Sequence, residues 1–563
     1  MPIQSVMGAV PRLFLVGALL WAGCHADDND PKGQAEELED PVRREHAVGR
    51  LQAIFSQRLV ETKGDRSAQP LQDFADVTAE ALNKTFLAHP EDSVNGLRML
   101  GLMQEIRDPR TLPALLTALD WKLEVSEEHA ISAARTLAMI EIPADKKSEV
   151  VAALSKALSR VDGARGLDNR MRKTFIETLG ELKDPGAVEV LVETMLNQDK
   201  DQSFLFNILA GQQLVGMADP NTTQSFIKAL YICDPENPAM RMNDVAASGL
   251  AAIGKPALQP VLDTLAGKNE EANETAKLYI EAVRQKDPDI ASKLSVSSEV
   301  AREAAYTLGK LGYREAVEPL IEEAHHSSVE RASGAALALV SINREESDTR
   351  PILKTLTDVY DRLEPMQQPQ LLVAMRHLYA DESMPFFLQV AEGGKKGRGK
   401  RGEPQVSPSR LYGFVSYAML ADKEEAQNLK AVMASSSGLA DLVKDYQSAI
   451  AAAEACDRDV DCWVGKLADK DTVVVRKAAD MLARLARGEA KATEKLVSLF
   501  GHSDLEVRNE ALFAVDYMAT QGSKPAVEKI EALQREEEGR SIWNGFKREA
   551  LPIRARLLAR SQS

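Results

Sequence analysis

Apolar residues in this chain recur at helical spacing in short runs that come in pairs. In the clearest stretch, Met171, Phe175, Ile176, Leu179 and Leu182 fall on one face of a helix. Lys183-Asp184-Pro185-Gly186 interrupts the run, and Ala187, Val188, Val190, Leu191 and Leu196 begin a second one. Proline cannot continue the first helix but suits the first turn of the next, and an aspartate just before it is a good N-cap. The pattern predicts a helical hairpin with two apolar faces. A single hairpin cannot bury both, so neighbouring copies must stack.

The phrase recurs. Leu100-Gly101 precedes Asp108-Pro109, Val215-Gly216 precedes Asp219-Pro220, and Leu308-Gly309 opens a looser copy. We expect its glycine to let helices approach and its Asp-Pro to start the second helix. A second signature has Val475-Arg476-Lys477-Ala478-Ala479 and Val507-Arg508-Asn509-Glu510-Ala511, 507 − 475 = 32 residues apart, with a relative at Val300-Ala301-Arg302-Glu303-Ala304. Here valine packs inward and arginine reaches carboxylates or carbonyls of a neighbour.

These phrases resemble HEAT repeats, from about residue 91 to about residue 535. The resemblance implies an all-α fold, an α-solenoid of stacked antiparallel helical hairpins in which the Asp and Arg residues are structural. It also implies a long recognition surface, with stacked second helices forming a concave face. Some HEAT-like families include lyases and glycosylases, so an enzyme on this scaffold is the alternative. The expected organisation is a signal peptide (1–23), an acidic flexible tether (24–45), an N-terminal helical cap (46–90) and repeats (91–392) with an insertion near 267–298. A basic Gly/Lys/Arg/Pro loop (393–408), further repeats (409–540) and a C-terminal helical cap (541–563), charged because its end is exposed, complete it.

Composition agrees with helices. Of 563 residues, 44% are hydrophobic but only 5% aromatic, so Ala, Leu, Val and Met must supply the core. The net charge of -16 argues against a nucleic-acid partner, which needs a basic face. At the N-terminus, Arg12 precedes an apolar run over 13–22 that is short for a membrane span and fits an export signal. Gly23-Cys24 follows, and the segment resembles a bacterial lipoprotein signal, although Trp21 stands where leucine is usual. That resemblance implies lipidation of Cys24 and membrane attachment through the lipid. With His25 rather than Asp after the cysteine, it points to the outer membrane, facing the periplasm. Cleavage after Ala26, giving a secreted or soluble periplasmic protein, is the alternative.

Candidate chemistry is sparse. Gly394 to Lys400 has the spacing of a phosphate loop, but Arg401 replaces the required Ser or Thr, and Pro404 and Pro408 deny it a helix. The segment reads as an exposed loop. Its alternative is a basic finger for an anionic partner through Lys395, Lys396, Arg398, Lys400 and Arg401. Asp457, Asp459 and Asp461 open like a calcium loop, but Cys462 and Ala468 occupy the Gly and Glu positions. Cys456 and Cys462 instead suggest a disulfide in an exported chain. Six residues span roughly 9 Å on one helix, too far to bridge, so a turn carrying the three aspartates is expected between them. Cys233 is expected buried and free. His502-Ser503-Asp504 reads as a helix cap and His325-His326 as a solvated turn. We therefore expect no catalytic, cofactor or metal residues, and a protein as partner.

Overall fold

The computed structural model describes residues 27–120, 126–163, 165–198, 202–342, 345–393, 406–434, 437–536 and 541–562. Cys24, the leader and the basic residues at 395–401 lie outside the described residues. The chain divides into two compact units, Met1–Val190 and Leu191–Ser563. Among the described residues there is no strand, only an isolated antiparallel bridge between Cys233 and Arg241. No described helix is long and apolar enough to cross a membrane.

In the first unit, α1 (Pro31–Glu37), α2 (Arg44–Glu61) and α3 (Gln69–Ala88) precede the hairpins. These are α4 (Ser93–Ile106) with α5 (Leu112–Ala118), α6 (Glu127–Leu137) with α7 (Lys147–Ser159), and α8 (Gly166–Leu182) with α9 (Val188–Leu196), which crosses the boundary. The first helices α4, α6 and α8 stack in a row.

The second unit opens with α10 (Phe204–Met217) and α11 (Thr223–Ala229), then α12 (Asn243–Ile253) and α13 (Lys255–Leu265). Next come α14 (Glu270–Lys286), the extra helix of the irregular stretch, and the short α15 (Pro288–Ala291). Regular hairpins follow: α16 (Val296–Leu311) with α17 (Val317–Ala324), α18 (Val329–Ser341) with α19 (Glu346–Tyr360), and α20 (Gln368–Arg376) with α21 (Met384–Glu392). Then come α22 (Pro408–Leu420), α23 (Lys423–Ala434), α24 (Ser437–Leu442), α25 (Gln447–Cys456) and α26 (Val460–Lys466). The last elements are α27 (Thr472–Leu485), α28 (Ala490–Val497), α29 (Leu505–Met518), α30 (Lys524–Glu536) and α31 (Ser541–Gln562).

The recurring phrase is a hinge. At the ends of α4, α8 and α10 one residue turns left-handed: Arg107, Lys183 and Ala218, with φ of 58°, 48° and 51°. The following aspartates, Asp108, Asp184 and Asp219, accept the backbone N–H two residues on at 2.8, 2.9 and 2.9 Å. The proline then starts a single 3-10 turn that runs into the second helix. The phrase glycines do not share one role. Gly309 lies where a Cβ would come 3.1 Å from the Ala338 Cα, so it allows α16 to press on α18. A Cβ at Gly101 or Gly216 would meet nothing within 4 Å, against the expectation of close packing.

The valines of the second signature, Val300, Val475 and Val507, are each 1% exposed. Two of its arginines reach neighbouring helices, Arg476 pairing with Glu506 on α29 and the Arg508 guanidinium sitting 4.4 Å from the Phe546 ring centre on α31, whereas Arg302 pairs with Glu299 and Glu303 of its own helix, against the expectation.

Three expectations are corrected. Residues from Asp30 on are not a flexible tether. Asp30 caps α1, Pro31 fits its first turn, and Ala35 and Leu38 are buried where α1 packs on α2 and α3. The buried Arg44 pins this turn, donating to the Leu38 carbonyl and pairing with Asp92. Second, α31 does not cap an exposed end. Phe546, Ala550, Ile553 and Leu557 are buried, and the helix packs on α29 and α30 and also on α12 and α16. Third, the first helices, not the second, line the interior of this unit. The row α12, α16, α18, α20, α22, α27, α29, α31 returns to α12 and closes on itself.

The two glycine environments predict opposite responses. Gly309→Val should lower unfolding stability by about 1–3 kcal/mol through overpacking. Gly101→Ala, in open space inside α4, should raise it by about 0.5–1 kcal/mol. Chemical denaturation measures both, and equal effects would contradict the assignment of Gly309 to a helix contact.

Candidate functional site

Closure of the row leaves a cavity of about 830 Å³ in the second unit, walled by α16, α18, α20, α29 and α31 with Asn243 and Asp244 from α12. One wall is aromatic. The His377 ring lies 4.7 Å from Phe513 and 5.8 Å from Tyr379, and Tyr379 lies 5.1 Å from Tyr517. His377, Phe513 and Tyr517 are half-buried, so their rings are partly open to the cavity.

Another part of the lining is ionic. Lys310 Nζ pairs with Glu549 at 2.5 Å, and Arg556 and Arg560 both hold Asp516, at 2.5 and 3.0 Å. Arg556 also donates to the Lys310 carbonyl at 2.5 Å, joining α31 to the end of α16. Tyr306 donates to Asp244 at 2.8 Å, and Arg548 lies 3.2 Å from Glu549 and 3.9 Å from Asp244. Burial pushes the Lys310 ammonium below its usual range even though Glu549 supports its charge. The lining holds five cations (Arg302, Lys310, Arg548, Arg556, Arg560) and five carboxylates (Asp244, Glu303, Glu330, Asp516, Glu549).

Behind the aromatic wall is a buried charge cluster. Arg376, 3% exposed, pairs with Glu510, and its Nε lies 3.3 Å from Asp480. His377 Nε2 lies 3.0 Å from the other Glu510 oxygen. His377, Asp480 and Glu510 offer ligand atoms within 4.8 Å of one another, the one such group among the described residues. The Arg376 guanidinium already supplies the positive charge there, so the cluster is an ion network rather than a metal centre. Burial raises the Glu510 carboxyl, but Arg376 and then His377 more than reverse it, leaving it well below the carboxylate range. Asp480 is fully buried, and among the described residues neither oxygen has a hydrogen-bond partner. Burial pushes its carboxyl up to about 8, against the pull of Arg376. Of the two carboxyls, burial favours the protonated form of Asp480, while Arg376 and His377 support the charge on Glu510.

A second buried cation adjoins it. Lys477 Nζ donates to the Ala418 and Ala421 carbonyls at 2.6 and 2.7 Å, closing the C-terminal end of α22. It lies 5.4 Å from the Trp463 ring centre, and burial pushes it down to about 7. Trp463 is in turn held by the turn after α25, its Nε1 donating to the Asp457 carbonyl at 2.8 Å.

That turn carries the cysteine pair. Cys456 ends α25, Asp457 is left-handed at φ 50°, and Asp459 caps α26 by accepting from Cys462 N. The sulfurs lie 1.93 Å apart with Cα atoms 5.3 Å apart. Asp457 and Asp459 are in the turn, but Asp461 belongs to the first turn of α26. Cys233 is buried without a disulfide. Asp504 caps α29, and His325 is exposed at the end of α17. Sequence reasoning missed Arg376, His377, Asp480 and Glu510. One signal was available: Lys477 lies three after Val474 and four before Met481, on the apolar stripe itself.

Residues 300–324, the hairpin of α16 and α17, match the model of the PBS lyase HEAT-like repeat family. No curated protein matches the chain. Among solved structures, the karyopherin Kap121p bound to the extreme C-terminus of the protein phosphatase Cdc14p is 13% identical, with a TM-score of 0.39 over 95% of this chain and 71% of that one. An engineered protein is 17% identical, with a TM-score of 0.22 over 80% and 99%. The condensin Cnd3-Cnd2 subcomplex of S. pombe is 12% identical, with a TM-score of 0.19 over 93% and 74%. The solenoid assignment stands on the stacked hairpins themselves.

The buried aspartate gives a pH test. Its folded-state pKa lies above the unfolded value, so the folded state holds the extra proton and this group's contribution falls as pH rises from about 4 to about 8. Asp480→Asn removes that penalty. The variant should gain stability over the wild type progressively across this window, measured by urea unfolding at several pH values. A constant difference from pH 4 to pH 9 would sink the assignment.

Proposed function

We propose that this chain is a non-enzymatic protein-binding scaffold of the bacterial cell envelope. The carrying observation is the stack of hairpins. Each hairpin stacks on its neighbours, and tandem copies build a long surface. In the first unit Val94 and Leu97, one turn apart on α4, are 64% and 41% exposed, an apolar pair for a partner to cover. The leader and Cys24 support a lipid-anchored protein of the outer membrane facing the periplasm, and α1, starting at Pro31, follows that cysteine closely in sequence. In-cell crosslinking with mass spectrometry on the membrane fraction tests both parts together. We expect one recurrent protein partner, weakened by Val94→Lys, and release of the Cys24→Ala protein from membranes. Crosslinks scattered over unrelated proteins would refute the scaffold reading, and membrane retention of Cys24→Ala would refute the anchor.

In that compartment Cys456 and Cys462 form a disulfide, since the turn already holds them at bonding separation. Thiol counting on denatured, unreduced protein should find Cys233 reactive and this pair blocked. Two further free thiols would remove the bridge.

A further inference from the structure

We propose that the cavity closed by α31 binds an uncharged saccharide, a property that does not depend on the scaffold reading. Its volume of about 830 Å³ lies within the range of small-molecule sites, roughly 300–1,000 Å³. The charges exclude a strongly ionic ligand. Five cations meet five carboxylates along the lining, and each cation is already paired. An anion would find no unpaired cation, and a cation would have to compete with these arginines for their carboxylates. A purely apolar ligand is excluded as well, because it would strip water from Asp244, Arg302 and Arg548, whose side chains are 44%, 41% and 56% exposed.

What remains is a ligand with both an apolar face and many neutral hydroxyls. The aromatic wall suits the face. Three of the chain's 10 tyrosines (Tyr306, Tyr379 and Tyr517) line this one cavity, in a protein with only 5% aromatics. Arg487 lies 4.5 Å from the Tyr517 ring centre, so the half-buried Phe513 is the ring on which the carbon face of a sugar can lie. The rim suits the hydroxyls. Gln367 and Gln370 are exposed residues of the lining, each with an amide donor and acceptor in one plane, and Arg548 of the same lining adds a planar guanidinium. Gln370 is the cleaner of the two, since Gln367 already accepts from the Glu364 N–H.

Titration calorimetry on the full chain tests this with four probes: maltotriose and tri-N-acetylchitotriose as neutral sugars, trigalacturonate as an anion, and an end-blocked Gly-Ala-Gly peptide. We expect a neutral sugar to bind and the other two to bind more weakly or not at all. Phe513→Leu keeps apolar bulk but removes the ring face, and Gln370→Ala removes an exposed amide. Each should weaken binding about five- to tenfold, the scale of one lost contact. Should Phe513→Leu lower the unfolding midpoint, Gln370→Ala alone decides. Absence of heat with both neutral sugars, a preference for the anion or the peptide, or unchanged affinity in a folded variant would each overturn the proposal.

Discussion

Arg556 holds the second unit in its closed arrangement. It donates to the Lys310 carbonyl at the end of α16 while pairing with Asp516 on α29, so a single side chain ties helices 246 residues apart in sequence. Around it Phe546, Ile553 and Leu557 are buried, each contributing about 1.5–3 kcal/mol. The seat is prepared in backbone. A Cβ on Gly312 would collide with the Arg556 side chain, and one on Gly522 with the backbone of Leu557 and Ser561. Entropy favours such a late contact more than its sequence separation suggests, because loop-closure cost grows only logarithmically and the intervening hairpins are already ordered.

The same closure explains why so much charge is buried. In an open row, the inner faces of α16, α20 and α29 would meet water. Brought together, they bury Arg376, Asp480, Glu510 and Arg556. Buried pairs contribute little net stability relative to apolar packing, but loss of one partner costs about 3–5 kcal/mol. The cluster therefore acts as a constraint on register more than as a source of stability: α20, α27 and α29 must meet so that Arg376 reaches Glu510 while burial favours the protonated form of Asp480. Lys477 does the same for α22, supplying donors that the last carbonyls of that helix lack. Trp463, fixed by the turn that holds the cysteine pair, covers it.

Much of the scaffold was legible from periodicity. Asp108, Asp184 and Asp219 cap their turns as the phrase required, because a short acceptor before proline has only one local use. The cysteine spacing likewise demanded a turn, since one continuous helix holds residues six apart beyond bridging reach. Other readings failed for physical reasons. Charge dominates the acidic stretch before α2, yet two apolar residues three apart, Ala35 and Leu38, suffice to dock a two-turn helix. The arginines of the last helix look like marks of an exposed end, yet Arg556 and Arg560 pair with Asp516. Composition cannot distinguish an arginine facing water from one facing a buried aspartate.

The sequence by itself determined the hairpin, its caps, its hinge and the apolar stripe that makes copies stack, since these depend on residues within one or two turns of each other. Only the tertiary structure decided that the second unit closes, that its first helices face inward, and that a cavity with balanced charge results. Those features depend on pairs such as Lys310 with Glu549 and Arg376 with Glu510. Their partners lie 239 and 134 residues apart, where no local pattern records which carboxylate a given cation will meet.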